Sequence, residues 1–189
     1  MLVDTFGTPP HGALQIGTGD PCATSLLRMC QNVSPIAMNL LSLDATVSMT
    51  NLSRRTWWRR LSDGLVTRAD DDFRGRAMLY WIDVEPRIVV SLSEEDRTVL
   101  SKADAGNVDC QNDVGQLLAG VKHYDGALYW LRQAAEQDHP DAMQYLGRMY
   151  AAGEGVGRDE YLSLMWIAKA AAFGHAIAVE QIGFLRPRP

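Results

Sequence analysis

The stretch AAGEGVGRD (residues 151–159) places three glycines between two segments with helical periodicity. Glycine-rich loops bind phosphate when the glycines follow a strand in a G-x-G-x-x-G pattern, or when they precede a Lys-Ser/Thr pair. Neither pattern is present, because the segment before the loop is predicted to be helical and Arg158 occupies the place of the last glycine. Glu154 would also repel a phosphate. We therefore predict a corner between two helices, with Val156 buried and Asp159 near the next N-cap.

Three histidines, His123, His139 and His175, are the residues best suited to acid–base or metal chemistry. His139 and His175 lie 36 residues apart at corresponding places in an internal repeat, which would separate them by a whole unit. The acidic runs 70–72 and 94–96 stand where helices are predicted to begin, and the helix dipole favours negative charge there. No Gly-x-Ser-x-Gly elbow or recognisable Cys/His pairing is present. We expect a protein that is not an enzyme, with no catalytic residue, cofactor or metal.

A basic and aromatic segment, RRTWWRR, has the residue types that contact phosphates and stack on bases, or that lie at an anionic membrane surface. Its candidate contact residues are Arg54, Arg55, Trp57, Trp58, Arg59 and Arg60. The alternative is structural: the two tryptophans cap the end of a helical stack, and the arginines stay in solvent or pair with the acids at 70–72. The pattern favours the cap, so binding of nucleic acid or membrane is the weaker expectation.

Composition and charge narrow the choice of partner. The 189 residues are 47% hydrophobic and 22% charged, which is ordinary for a folded domain. Residues 1–90 hold nine basic and nine acidic side chains, whereas residues 91–189 hold nine and fourteen, so the net charge of −5 arises in the second half. Only a local basic patch could therefore attract nucleic acid or anionic lipid.

Targeting signals and membrane spans are not predicted. Residues 1–20 have neither a basic n-region nor an apolar h-region. The longest mostly apolar run, residues 34–49, is shorter than the ~20 residues that span a bilayer. The three cysteines, Cys22, Cys30 and Cys110, cannot all pair and form no C-x-x-C spacing. We expect reduced thiols and a cytoplasmic location.

The first half of the chain is divided at about residue 50. Residues 1–50 are rich in Gly, Pro, Ser and Thr, and we predict an irregular or partly disordered arm with one short helix at 23–31. Residues 51–90 are predicted to form a helical cap region, with one helix around the tryptophan pair and a second over ADDDFRGRAMLYWI, residues 69–82. The segment RIVV, residues 87–90, is either a short strand or a buried connection.

From Ser93 onward the chain repeats itself, which indicates a solenoid over residues 91–189. HPDAMQYLG at 139–147 aligns with HAIAVEQIG at 175–183 with an offset of 36. DCQNDVG at 109–115 aligns with DAMQYLG with an offset of 32, and the missing residues fall in the loop of the earlier copy. Each helix pair alone would bury too little apolar surface, so stacking of neighbouring units must supply the rest.

The second copy closely resembles the Sel-1-like repeat, a helix–loop–helix unit of about 36 residues related to the tetratricopeptide repeats. The residues that carry this resemblance are Ala142, Leu146, Gly147, Tyr150, Gly153, Glu154, Gly155, Val156, Asp159, Trp166, Ala170, Ala171, Gly174 and His175. The resemblance covers roughly residues 93–185. It implies an all-α fold, a short right-handed α-solenoid of antiparallel helix pairs, preceded here by the irregular N-terminal arm.

The resemblance also implies a function. Proteins of this family generally act as adaptors or scaffolds that bind a partner polypeptide in the groove of the solenoid, and bacterial members are tied to host interaction, secretion or envelope processes. Our candidate groove residues are polar and differ between the copies: Asn112, Gln116, Gln144 and Arg148. Two alternatives stay open, an immunity or inhibitor protein that neutralises a toxin, and a regulator that uses residues 54–60. Dimerisation through an exposed end of the solenoid is a further expectation.

Overall fold

The computed structural model describes residues 40–185, and the helix predicted near Ala23–Gln31 lies outside them. The N-terminal elements are β1 (Leu40–Ser42), α1 (Leu43–Ser48), α2 (Arg54–Ser62), β2 (Arg68–Ala69), β3 (Met78–Tyr80) and α3 (Trp81–Val84), followed by a single 3-10 turn, Glu85–Arg87. The helices of the second half are α4 (Glu94–Ala105), α5 (Val108–Gly120), α6 (Tyr124–Glu136), α7 (Pro140–Ala152), α8 (Glu160–Ala172) and α9 (Ala176–Leu185). Helices α4 to α9 pack consecutively, which confirms the predicted all-α solenoid.

A small antiparallel sheet precedes the solenoid, in the order β1–β3–β2. Leu41 pairs with Leu79 in its centre, and both side chains are buried because the sheet presents one face to the core. Residues 40–50 are therefore ordered as β1 and α1, which corrects the prediction of an irregular arm up to residue 50 for this part. The division of the chain at residues 50 and 90 stays a prediction.

The second predicted helix of the cap region, over residues 69–82, is wrong. Asp72 accepts hydrogen bonds from the backbone nitrogens of Arg74 and Arg76, and this turn reverses the chain between β2 and β3. Phe73 is 88% exposed at the turn. The acids at 70–72 thus serve a hairpin and not a helix start. The segment RIVV is a connection that forms one isolated bridge, between Thr50 and Ile88.

A partly buried ionic network joins this hairpin to the first helix of the solenoid. The Asp104 carboxylate on α4 accepts hydrogen bonds from the Ser42 backbone nitrogen at 2.8 Å and from the Ser42 hydroxyl at 2.6 Å. The Arg76 guanidinium donates to the same carboxylate at 2.6 Å and to Asp72 at 2.8 Å. Desolvation opposes both charges, but hydrogen bonds and opposite charge prevail, so the pKa of Asp72 is lowered and that of Arg76 is raised. Both groups therefore stay ionised.

The first solenoid helix begins as its sequence predicts. Ser93 is the N-cap of α4 and accepts a hydrogen bond from the Asp96 backbone nitrogen, while the Asp96 side chain accepts one from the Ser93 backbone nitrogen. This reciprocal pair is a capping box, and it satisfies two amide groups that the first helical turn leaves open. The helix start predicted at the acidic run 94–96 is confirmed.

Two mid-helix glycines allow close contact within each helix pair. A Cβ atom at Gly115 would lie 2.6 Å from Cγ of Leu131, and one at Gly147 would lie 2.6 Å from Cγ1 of Ile167. No side chain fits at these distances, so α5 packs directly on α6 and α7 on α8 at this level. The close approach offsets the ~0.5–1 kcal/mol that a glycine costs inside a helix.

The glycine stretch is a helix corner, as predicted. α7 ends at Gly153, which has a φ of 75°, and α8 begins after Asp159, whose carboxylate accepts a hydrogen bond from the Leu162 backbone nitrogen. Gly155, with a φ of 68°, sits against Tyr124 and Leu128 of the preceding unit. The loop thus joins two helices and also packs against the preceding repeat.

Gly155→Ala is expected to lower the free energy of unfolding by about 1–3 kcal/mol, because the new methyl group is strained at positive φ and overlaps Cβ of Tyr124. Urea denaturation followed by circular dichroism measures the change. Gly157→Ala is the matched control, since no heavy atom lies within 4 Å of the added Cβ there. An equal loss in both variants would contradict the role of Gly155 at the contact.

Candidate partner-binding face

The first helices of the two repeats, α5 and α7, contact each other and form one face of the solenoid. Each helix points the same positions outward, because the two sequences align residue by residue. The exposed polar residues of this face are Asp109, Asp113 and Gln116 on α5, and Asp141 and Arg148 on α7, with Tyr145 half-buried between them. We call this surface the α5/α7 face.

Histidines connect the repeats along this face. His139 caps α7 by accepting a hydrogen bond from the Ala142 backbone nitrogen at 3.3 Å, and its other ring nitrogen lies 3.3 Å from Asp109 on α5 of the preceding repeat. His175 repeats this arrangement at α9, 3.2 Å from the Ala178 nitrogen and 3.5 Å from Asp141. His139 and His175 thus lie one repeat apart, as predicted, each at the junction between two repeats and each beside an aspartate of the face.

Arg148 and Tyr145 form the aromatic and cationic part of the face. The guanidinium carbon of Arg148 lies 4.8 Å from the centre of the Tyr145 ring. This stacking restricts the long arginine side chain while leaving its donors open to solvent. An arginine held in this way is suited to bind a carboxylate or a backbone carbonyl of another chain.

Negative charge accumulates at the other end of the face. Desolvation raises the pKa of Asp113, and the charges of Asp109 and Asp141 raise it further, against the lowering effect of a hydrogen bond from Asn112. Asp113 also lines a groove of about 210 Å³ together with apolar side chains of α4 and α5, among them Val99. The face therefore offers an acidic end beside an apolar groove and a basic end at Arg148.

The comparisons with known proteins concern the same helices. The Sel1 repeat family model matches residues 108–139 and 140–175. A Sel1 repeat protein from Oxalobacter formigenes, known from its crystal structure, is 38% identical over 46% of this chain and 68% of that protein, with a TM-score of 0.42. The chain belongs to the Sel1 repeat family. No curated protein matches the chain. Sel1 repeats generally mediate protein–protein interaction, and this is the general role of the fold described here.

The four predicted groove residues do not share one environment in the Sel1 repeats. Gln116 and Arg148 are exposed on the α5/α7 face, whereas Asn112 and Gln144 are only 5% and 8% exposed. Gln116 donates a hydrogen bond to the Asn112 side chain at 3.1 Å, so Asn112 supports the face from beneath. Asn112 and Gln144 present little surface to a partner, and the contact role of Gln116 and Arg148 stays a prediction.

The basic and aromatic segment lies on α2, before the Sel1 repeats, and its two tryptophans have different environments. Trp57 is fully buried and donates a hydrogen bond to the Thr50 hydroxyl at 3.1 Å. Arg54 pairs with Asp44, and not with the acids at 70–72. Trp58 is 40% exposed, with the Arg68 guanidinium 5.7 Å from its ring centre. Of the predicted cap, Trp57 is thus buried, while Trp58 remains at the surface.

Arg55 and Arg59 are exposed and Arg60 is half-buried, so Trp57 is the one buried side chain among the six candidate contact residues. The contact role of the other five stays a prediction. Within residues 40–185 no group of three His, Cys, Asp or Glu side chains is arranged to hold a metal ion. None of the helices in this range has the length and apolar character needed to cross a bilayer.

Sequence reasoning missed the acidic residues of the α5/α7 face and Tyr145. A usable signal was present, because Asp109 and Asp141 coincide when the two Sel1 repeats are aligned with the offset of 32. The candidate groove residues were chosen because they differ between the copies, and this criterion excluded Asp109 and Asp141, which are identical. Tyr145 aligns with Asp113 of the first repeat. The alignment therefore also shows that an acidic residue of α5 is replaced by an aromatic residue in α7.

Proposed function

We propose that this Sel1 repeat protein is a non-enzymatic adaptor that binds a segment of a partner polypeptide along the α5/α7 face. The observation that supports this most directly is Arg148, exposed and stacked on Tyr145 at the basic end of the α5/α7 face. Arginine and tyrosine are enriched among the residues that dominate binding energy in protein interfaces, because they combine large contact area with directional hydrogen bonds.

The charge distribution defines what the partner segment would present. Asp113 and its neighbouring acids attract a basic side chain, the adjoining groove receives an apolar one, and Arg148 receives a carboxylate or a carbonyl oxygen. A segment with these groups in order binds in one direction along α5 and α7. The similar protein from Oxalobacter formigenes supports a bacterial setting. We place the protein in the cytoplasm, and a connection to secretion, host contact or the envelope belongs to the same proposal.

Arg148→Glu is expected to weaken partner capture by about 30-fold, which corresponds to the ~2 kcal/mol of an interface hot spot. The tagged full chain and its variants are used to isolate partners from cells that express the protein, and each bound polypeptide is quantified by mass spectrometry. Thermal unfolding should be unchanged, because Arg148 is exposed.

Arg132→Glu is the matched control, since it makes the same charge change at an exposed position on α6. Capture of the same polypeptide should be unaffected in this variant. Undiminished capture by Arg148→Glu, or an equal loss in both variants, would overturn the assignment of the α5/α7 face.

A further inference from the structure

The groove beside Asp113 lies between α4 and α5 and is apolar over most of its surface. The apolar residues that line it are Met49, Leu92, Val99, Leu100, Val114 and Leu117. Met49, Leu100 and Val114 are buried and form its base, whereas the other three are half-buried or exposed and form its sides. Pockets for drug-sized molecules measure ~300–1,000 Å³. With a volume of about 210 Å³, this groove is suited to a single side chain of a partner.

Two carboxylates stand at the edge of the groove, one from each helix. Asp96 lies in the first turn of α4 and is half-buried, and Asp113 lies on α5 and is exposed. Within residues 40–185 no basic side chain lines the groove. Arg97 follows Asp96 in the sequence but pairs with Glu85. The groove therefore combines an apolar base with negative charge at its edge.

The surroundings of Asp113 favour a cation at this edge. Burial raises the pKa of the Asp113 carboxyl, and the charges of Asp109 and Asp141 raise it further, against the effects of Asn112 and His139. A cationic group beside Asp113 would be attracted by all three carboxylates at once. Residues 91–189 hold fourteen acidic and nine basic side chains, so the wider field has the same sign.

The chemistry of the groove matches a side chain with a long aliphatic stem and a cationic end. Lysine and arginine both have this form, and both bury the stem along apolar surface while the charged end stays in contact with water. Apolar side chains would fill the groove without meeting the carboxylates. Short cationic groups would meet the carboxylates without covering the apolar base.

The oxygen atoms left for a partner favour lysine over arginine. Oδ2 of Asp96 already accepts hydrogen bonds from the Ser93 backbone nitrogen at 2.9 Å and from the Ser93 hydroxyl at 2.8 Å. Asp113 in turn accepts one from Asn112. An arginine binds best to both oxygens of one carboxylate. A lysine ammonium is a compact charge with three rotatable donors, so it can bind one oxygen of each of two carboxylates.

We propose that the groove between α4 and α5 binds a lysine side chain of the partner segment, with its methylene groups on the apolar base and its ammonium group at Asp96 and Asp113. This inference rests on the proposed function, which assigns a basic group to the acids and an apolar group to the groove. A single lysine supplies both groups.

Peptides provide the test. A library of random dodecapeptides displayed on phage is selected on the immobilised full chain, and the enriched peptides should share a lysine at one aligned position. The best peptide is then synthesised with lysine, norleucine or diaminopropionic acid at that position, and fluorescence anisotropy gives each Kd. Norleucine lacks the charge and diaminopropionic acid lacks most of the stem, so each should bind at least about tenfold more weakly than lysine.

Asp113→Asn should weaken the lysine peptide by about tenfold and leave the norleucine peptide unchanged, because only the ammonium group contacts this carboxylate. Asp109→Asn is the matched control. It makes the same charge change at an exposed position one turn earlier on α5, outside the groove. Its effect on the lysine peptide should stay within about twofold at physiological salt, since the charge is screened over this distance.

Equal binding of the lysine and norleucine peptides, preference for arginine, or equal losses for Asp113→Asn and Asp109→Asn would overturn the lysine site. Arg148→Glu separates this result from the proposed function. Peptides that lose affinity in Arg148→Glu but tolerate norleucine would overturn the lysine site and leave the α5/α7 face supported. Peptides that require lysine and Asp113 but ignore Arg148→Glu would support the lysine site and contradict the role of Arg148. A selection that enriches no peptide would overturn both.

Discussion

Arg76→Ala should lower the free energy of unfolding by about 3–5 kcal/mol, the range observed when one partner of a buried ion pair is removed. The substitution leaves the Asp104 carboxylate, whose side chain is only 5% exposed, with hydrogen bonds from Ser42 alone. It also detaches Asp72 and with it the hairpin between β2 and β3. Guanidinium chloride denaturation followed by tryptophan fluorescence measures the loss.

Arg68→Ala provides the comparison within the same hairpin. Arg68 also pairs with an aspartate, Asp71, but the two side chains are 45% and 43% exposed. Exposed ion pairs contribute ~0–1 kcal/mol because water screens the attraction. Similar losses for Arg68→Ala and Arg76→Ala would show that burial of the Arg76–Asp104 pair has no special effect. If Arg76→Ala does not fold, Arg76→Lys, which keeps the charge, should restore a folded protein of intermediate stability.

Trp130→Ala should cost about 3–5 kcal/mol of stability, whereas Trp166→Ala at the equivalent position of the second repeat should cost distinctly less. Trp130 is fully buried and packs edge-to-face on Tyr129 at 5.0 Å, because units on both sides cover it. Trp166 is half-buried, and Lys169 lies 4.7 Å from its ring centre. The difference measures how much stability a repeat gains from its neighbours.

The two tryptophan variants are compared by urea denaturation, with circular dichroism as the probe. Trp57→Ala is a reference variant. It removes another fully buried indole and measures the loss of unfolding free energy when the indole lies outside the repeats. Equal losses for Trp130→Ala and Trp166→Ala would contradict the account that neighbouring units supply the stability of each repeat.

The solenoid could be predicted because its signals are periodic and local. Gly115 and Gly147 recur in register, and the corner at Gly153 to Asp159 contains the residues that end one helix and begin the next. The family model confirms the repeats at 108–139 and 140–175. Both units have the same helix–loop–helix structure, so a helix boundary predicted in one copy can be checked against the aligned residues of the other.

The N-terminal part could not be predicted in the same way. β2 has two residues and β3 has three, which is too short for alternation to show in the sequence. Their pairing depends on the turn at Asp72 and on the Arg76–Asp104 contact, which joins residues 28 positions apart. Such contacts become visible only in three dimensions.

The exposure of residues on the α5/α7 face could not be predicted from the sequence either. Variation between copies selected Asn112 and Gln144 as groove residues, yet both are buried beneath the α5/α7 face. A polar residue with a buried hydrogen bond and a polar residue in solvent have the same appearance in a sequence.

Site-specific photo-crosslinking tests the central claim most directly, namely that the α5/α7 face contacts a partner polypeptide. Benzoylphenylalanine is placed at Gln116 on that face and, as the control, at Glu136 on α6, in cells that express the protein; both positions are exposed. We predict a crosslinked polypeptide from position 116 that disappears in the Arg148→Glu background and is absent from position 136. No product at 116, or the same product from both positions, would contradict the account.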